Sequence, residues 1–398
     1  MDGSDYLRRL RQLLDEETTG TWLDTRTSYD NLYEGSKEFN DRTRTLTDFQ
    51  KIQTVAEQEN YVLKSNFSRL FMMNNNRYFI RYSNGSSDSP LYYKDYQDIA
   101  FSNYSRTYDI NQSTMTRAAT TFKDIGQDFS DWETAAPGTA IYKIIVTHTS
   151  GDIEWAYIGD ASTGTNTDDT ITVYSNIGLT STGWTGTSGT PLLYEIKKVS
   201  TSTMPGSFSI RDKRKLYSQI TGTATSDGAA SGGECTLTDT SGLFLTTDYT
   251  NKGDVIYNTG DGSSGVVLSI TTTTALKSAL FGGTNNDWTS TDPYVIQPQG
   301  RLELIIDPPP KTAGHIITLE YIARPDPVYS DYGSYKFRDQ NMEAIIKYAA
   351  WLYKYRDSEP NFGDAFFQWW DRVVRREAAN INPHLNQRKW KVNFKARR

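Results

Sequence analysis

Residues 343–377 read EAIIKYAAWLYKYRDSEPNFGDAFFQWWDRVVRRE, and the architecture turns on this stretch. Met342, Ile345, Ile346, Ala349, Leu352 and Tyr353 recur at helical spacing behind Asp339, whose carboxylate suits an N-cap. Ser358-Glu359-Pro360-Asn361 interrupts the pattern. Beyond it Asn361, with Asp364 three residues on, caps a second predicted helix bearing Phe366, Trp369, Trp370 and Val373. Two helices with so short a break make an αα-hairpin. Adjacent helical positions diverge by about 100°, so Trp369 and Trp370 cannot both face one core. One is expected inside the chain and the other against a neighbour. Phe366, Phe367 and Trp370 would otherwise form an exposed apolar patch, so these three are assigned to a subunit contact.

The hairpin needs other apolar stripes to cover it, and the N-terminus supplies two. Behind Ser4 or Asp2, Leu7, Leu10, Leu13 and Leu14 follow at helical spacing; Thr18–Thr21, with Gly20, breaks the pattern. A second helix is predicted from about Asp24 to Arg44, with Tyr29, Leu32, Ser36 and Phe39 on one stripe. Asp30, Glu34, Lys37, Glu38, Asp41 and Arg42 give it a wet face. Helices from both ends of the chain are therefore expected to pack together.

Between them the period changes. From about Thr45 short apolar runs are punctuated by Asn, Ser and Gly, the pattern of strands and turns. FSIRDKRKLYSQI and RLELIIDPPPKTAGHIITLEYIARPDP read as parts of one sheet, which loops the segment Thr221–Gln299 out of one hairpin. In the second piece Leu302, Leu304 and Ile306 alternate with Glu303 and Ile305, three prolines force a turn, and Ile316–Ile322 is expected to return as the antiparallel partner. Two Thr/Ser/Gly-rich stretches, 132–200 and 221–299, carry β-branched runs between turn clusters. Each closes on a similar series, Trp184 to Tyr194 and Ile196, and Trp288 to Tyr294 and Ile296, read either as a weak internal repeat or as two unrelated insertions.

The expected fold class is α+β: a bundle of N- and C-terminal helices joined to an antiparallel β domain with β insertions. The divisions are 1–48 (N-terminal helices), 49–131 (β domain, first part), 132–200 (first insertion), 201–220 (β domain, second part), 221–299 (second insertion), 300–336 (closing hairpin), 337–382 (C-terminal helical hairpin) and 383–398 (basic tail).

Composition removes several functional classes. One cysteine, Cys235, excludes an intrachain disulfide framework and a Cys-rich zinc site. No apolar run approaches the roughly 18 residues of a membrane span, and MDGSDYLRRLRQLLDEE lacks the apolar core of a secretory signal. Tyr, Phe and Trp number 26, 16 and 9, an aromatic content that suits subunit interfaces. The net charge of −6 divides unevenly: the segment after Pro383 carries +6 and the rest −12. An acidic body is unsuited to gripping nucleic acid, whereas the tail suits an acidic partner surface.

Few motifs carry chemistry. GDGSSG at Gly260–Gly265 matches a dinucleotide fingerprint, but VIYN before it and VVLSITTTT after it make it a strand–turn–strand hairpin. Asp152 and Glu154 beside Trp155, with Asp168 and Asp169 nearby, could serve a glycan site that also uses Trp184 or Trp288; the plainer reading is a strand with acids on its wet face. His148 alternates with Val146 in a β run, and His315 follows Gly314 in a turn. The Asn-x-Ser sites at Asn66, Asn84, Asn103 and Asn111 mean little without a secretory route. No catalytic set, cofactor or metal ligand is nominated. In the tail, Arg388, Lys389, Trp390, Lys391, Phe394, Arg397 and Arg398 set aromatics among cations, the composition of a segment that orders in a partner's groove with Trp390 as anchor; a nucleic-acid-binding tail is the rival.

Taken in order, these features resemble the head-to-tail adaptor (neck or connector) proteins of tailed bacteriophages. LLDEETTGTWLDTRTSYDNLYEGSKEF lies in the N-terminal helix pair. TVAEQENYVLKSNFSRL is similar to the family's T-x-x-x-Q-x-x-Y-x-L-P-x-x-F-x-R, with Lys64 where proline is usual. LIIDPPP and LEYIARPDPV are similar to its strand–proline hairpin, and 343–377 to its closing helix pair. The match covers roughly Tyr6–Leu91 and Met204–Ile381 and leaves out both insertions. The resemblance implies a ring of about twelve copies in the virion neck, under the portal protein and above a tail nozzle, stopper or tail-tube protein. DNA would pass its lumen without specific binding, no membrane would be involved, and the tail would reach the portal. A glycan-binding or glycan-cleaving virion tail protein is the alternative.

Overall fold

The computed structural model describes residues 1–15, 23–73, 77–102, 106–109, 115–125, 127, 129, 142–149, 152–159, 169–199, 204–212, 219–244, 250–298, 302–356 and 360–381. It is an α+β structure with mostly antiparallel sheets and few helices. The helices are α1 (Gly3–Leu13), α2 (Thr25–Thr43), α3 (Tyr96–Ser102), α4 (Asp339–Arg356) and α5 (Pro360–Ile381).

Local chemistry sets their ends. The Asp2 carboxylate accepts from the Asp5 N–H to start α1, and Asp24 accepts from the Thr27 N–H to start α2. Helix α2 stops at Arg44, which takes left-handed φ 58° and donates its N–H to the Asn40 carbonyl at 2.7 Å. Helix α5 begins at Pro360, so Asn361 lies inside it and does not cap it; proline suits a first helical position because its missing N–H would have no partner there.

The apolar stripes of the long helices meet. Tyr6, Leu7 and Leu10 of α1, Tyr29, Leu32 and Phe39 of α2, Ile345, Ile346 and Ala349 of α4, and Trp370, Val373 and Val374 of α5 share one buried cluster. Gly35 permits a close approach of α2 to α4: a Cβ there would stand 3.2 Å from the Ile345 carbonyl oxygen and 3.1 Å from the Tyr348 ring.

The β domain is two sheets face to face. In the first the strand order is Thr47–Gln53, Ile316–Ala323, Ile80–Ser83, Asp88–Pro90, with Phe67–Leu70 also paired to Ile316–Ala323. In the second it is Asn60–Val62, Leu302–Asp307, Ser207–Asp212, Tyr92–Tyr93. Phe208, Leu304 and Ile306 from the second sheet share a core with Ile317, Leu319 and Tyr321 from the first. The expected pairing of Leu302–Ile306 with Ile316–Ile322 is thus corrected: the two strands lie in different layers. Pro308–Pro310 have no N–H to extend a ladder, and the chain crosses there from one sheet to the other. Lys64 donates its backbone N–H to the Gln50 side chain at 3.0 Å, which a proline at that position could not do.

Ser207–Asp212 pairs antiparallel with Leu302–Asp307, from Ser207 opposite Asp307 to Asp212 opposite Leu302, so the residues between them leave and rejoin one ladder. Within that excursion a six-stranded antiparallel sheet runs in the order Ile220–Thr223, Pro293–Gln297, Val255–Asn258, Ser263–Thr272, Ala275–Phe281, Cys235–Thr238. Val266, Leu268, Ala279 and Phe281 of this sheet pack against the helical cluster. Cys235 is buried in it, its Sγ 3.3 Å from the Ser278 hydroxyl, and burial pushes the thiol up to about 11. Iodoacetamide at pH 8 should therefore leave the folded chain unlabelled and react only after denaturant is added; rapid labelling of folded protein would refute this packing.

Besides a two-stranded ribbon of Met72–Met73 and Arg77–Tyr78, a further sheet has the path Met115–Arg117, Thr121–Asp124, Thr170–Tyr174, Ile153–Ile158, Tyr142–His148, Pro191–Lys198, Arg106–Asp109. It takes in strands from Arg106 onward, ahead of the expected start at Trp132. Those early strands are short and interrupted by charge, and one of the charges, Arg117, is held by a buried carboxylate.

Candidate functional site

Helices α4 and α5 present a graded aromatic face. Ring centroids step from Tyr355 to Trp351 (5.9 Å), Phe367 (4.8 Å), Trp370 (5.4 Å) and Tyr348 (4.7 Å). Its inner end is sealed: Trp370 is fully buried, with the Arg42 guanidinium 4.8 Å from its ring. The assignment of Trp370 to a subunit contact is corrected accordingly, because its own chain occupies its surface. The outer end is open. Tyr355 is exposed, and Phe366, Phe367, Trp351 and Trp369 are half-buried. Of the adjacent pair, Trp369 is the one that faces outward, beneath the Lys347 ammonium 3.6 Å from its ring.

A second feature could not be read from spacing. Where the first insertion meets the sandwich, four buried carboxylates interlock with four cations, of which Lys143 and Lys197 are buried and Arg211 and Lys311 half-buried. Lys143 Nζ lies 2.9 Å from Glu59 and donates to the Glu57 carbonyl at 3.2 Å. Lys197 pairs with Glu59 and, at 3.3 Å, with Glu195. Arg211 bonds Glu303 and stacks 4.5 Å from the Tyr96 ring, and Lys311 reaches Glu57 at 2.6 Å. Lys143 is 1 % exposed and Lys197 2 %. Burial raises the Glu59 carboxyl, but Lys143 and Lys197 outweigh it and hold the group at about 2. Glu195 and Lys197 lie two apart on one face of Pro191–Lys198, but Glu57 and Glu59 sit in the turn and loop ahead of Asn60–Val62, where no strand period marks them.

The chemical motifs resolve into structure. Gly260–Gly265 forms the turn from Val255–Asn258 into Ser263–Thr272, with Gly262 at φ 80° and the Asn258 side chain accepting from the N–H groups of Gly260 and Asp261. Asp152 is exposed, but Glu154 is fully buried and does not lie on a wet face. It takes Arg117 in a two-pronged ion pair and accepts from His148 Nε2 at 3.2 Å. Trp155 and Trp288 are buried, and Trp184 is half-buried against Phe122 and Arg117. His148 is a buried strand residue, and His315 follows Gly314 (φ 85°) and bonds the Tyr82 hydroxyl. Among the described residues no group of three His, Cys, Asp or Glu side chains could hold a metal ion, and no helix is long and apolar enough to cross a membrane.

Asp168, Asn103, Asn111 and the whole tail, including Arg388, Lys389, Trp390, Lys391, Phe394, Arg397 and Arg398, lie outside the described residues.

No family model matches the chain, and no curated protein matches it. Among solved structures it is similar at 10% identity to "a putative secreted protein from Eubacterium rectale", covering 73% of this chain and 95% of that one with a TM-score of 0.09, a value that carries no argument.

Proposed function

We propose that the chain is a structural head-to-tail adaptor of a bacteriophage virion, a ring subunit that seats on the portal, extends the DNA channel and receives the tail. The observation that carries this reading is the common core of α1, α2, α4 and α5, by which both ends of the chain close into one helical unit with a half-exposed aromatic edge. In this reading the four helices are the adaptor's bundle. Phe366, Phe367 and Trp369 make the contact between copies, and residues 384–398 form the arm that docks on the portal. Large permanent contacts favour such aromatic surfaces, and an acidic lumen lets DNA slide without adhering.

The test is mass. Native mass measurement of the full chain, alone and with its portal, should give a closed ring of many copies. Deleting residues 384–398 should abolish portal attachment. A chain that stays monomeric with and without the portal overturns the proposal, and a truncated chain that still attaches overturns the account of the arm.

A further inference from the structure

Where α5 ends and the tail departs, a pocket of about 530 Å³ opens between the C-terminal turns of α5, the N-terminus of α4 and the loop at Thr45 and Leu46. Its surplus charge is positive. Lys336, Arg338 and Arg376 line it against the single carboxylate of Glu377. Lys336 is also drawn to Asp326 at 3.3 Å and Arg376 to Glu377 at 3.5 Å, whereas the Arg338 guanidinium has no partner among the described residues. The start of α4 adds backbone donors, because the N–H groups of Asp339 and Gln340 make no hydrogen bond among the described residues. An independent sign comes from Asn341. It lines the pocket and is only 3 % exposed, yet its side-chain amide has no partner among the described residues. Its amide atoms are not among the fully enclosed unpaired ones, so they keep access to the pocket, where a ligand can bond them.

We infer that this pocket binds a carboxylate from an acidic peptide segment of the docking partner, held by Arg338, Asn341 and the N-terminus of α4. Three features select a carboxylate on a peptide over nucleic acid. The surplus of one or two charges matches one carboxylate group and not a run of phosphates. Leu46 and Phe337 give the pocket an apolar edge for a peptide backbone and side chain. The second insertion, with eight Asp and Glu against two Lys between 221 and 299, adds to an acidic body that repels a duplex. The pocket stands at the root of the basic arm, so both would engage one acidic surface. The inference rests on the adaptor reading for its partner, but its chemistry is tested separately.

Fluorescein-labelled hexaglutamate is titrated into the full chain by fluorescence anisotropy, with wild type, Arg338→Glu and Asn341→Leu compared at one salt concentration. Arg338 is exposed, so its variant should fold, and circular dichroism melts check both. Arg338→Glu should weaken the peptide about tenfold or more, and Asn341→Leu several-fold. Equal affinity in wild type and Arg338→Glu would assign the binding to the tail and overturn the pocket, whether or not the chain forms rings. Inorganic phosphate displacing the peptide at low millimolar concentration, or a DNA duplex showing the larger loss in Arg338→Glu, would overturn the choice of carboxylate. A chain that never assembles but loses the peptide in both variants keeps the pocket and refutes only the ring.

Discussion

Replacing Lys143 with Met should destabilise the protein by about 3–5 kcal/mol, seen as a lower denaturation midpoint, because it strands a buried carboxylate. Lys143 is nearly inaccessible and is one of two ammonium groups on Glu59. Lys197 cannot neutralise Glu59 alone while also serving Glu195. Adding Glu59→Gln to Lys143→Met should recover part of the loss, since the uncompensated charge is then gone. Additive losses would show that the two do not interact.

The same group sets a dependence on pH. The Glu59 carboxyl is held at about 2 when folded, against an unfolded value of about 4.3. A depressed acid contributes stability that is present above the unfolded value and lost as pH falls toward the folded one. The loss due to Glu59 should therefore fall between pH ~4.3 and ~2, and Glu59→Gln should flatten that limb. Lys197 has the opposite sign: burial lowers it, but Glu59 and Glu195 outweigh this and raise it. Its contribution holds below an ordinary lysine value of about 10.4 and is lost as pH climbs beyond it.

The second large effect is at the helices. Trp370→Ala should cost about 3–5 kcal/mol, because a fully buried indole leaves a cavity between Tyr348, Phe367 and Arg42 that the helices fill only in part. Trp369→Ala, one residue away and half-buried, should cost less than about 1 kcal/mol in the isolated chain. Thermal melts of the two variants decide the matter: comparable losses, or a larger one at Trp369, would refute the inward placement of Trp370. Trp370→Phe should be milder than Trp370→Ala, since it keeps an aromatic body and removes an indole N–H that has no partner among the described residues.

These contrasts mark what the sequence makes legible. The stripes Leu7/Leu10 and Tyr29/Leu32/Phe39 and the span from about Asp24 to Arg44 are local signals found where their spacing puts them, and of the two cap candidates Ser4 and Asp2 it is Asp2 that caps. The partner of Ile316–Ala323 is not a local matter. In Leu302–Asp307 the side chains from Glu303 to Ile306 are all buried, so alternation cannot say which layer the strand belongs to, and a proline run serves a hairpin or a crossing equally well. The interlocked charges are harder still: Glu57, Lys143, Glu195 and Glu303 come from four distant segments, and each alone reads as solvated. The tryptophan pair falls between, since helical geometry demands divergence but does not say which ring turns inward.

The meeting of Asp212 with Leu302 has a last implication. A gene that joined those two points by a tight two-residue link would keep every rung between Ser207–Asp212 and Leu302–Asp307. The excursion is thus a passenger on the sandwich, of the kind a lineage can gain or shed without redrawing the frame. What would have to change with it is the seam where its Ala279 and Phe281 meet the helices and Tyr329, and where Ser264 and Glu234 bond Arg26 and Ser330.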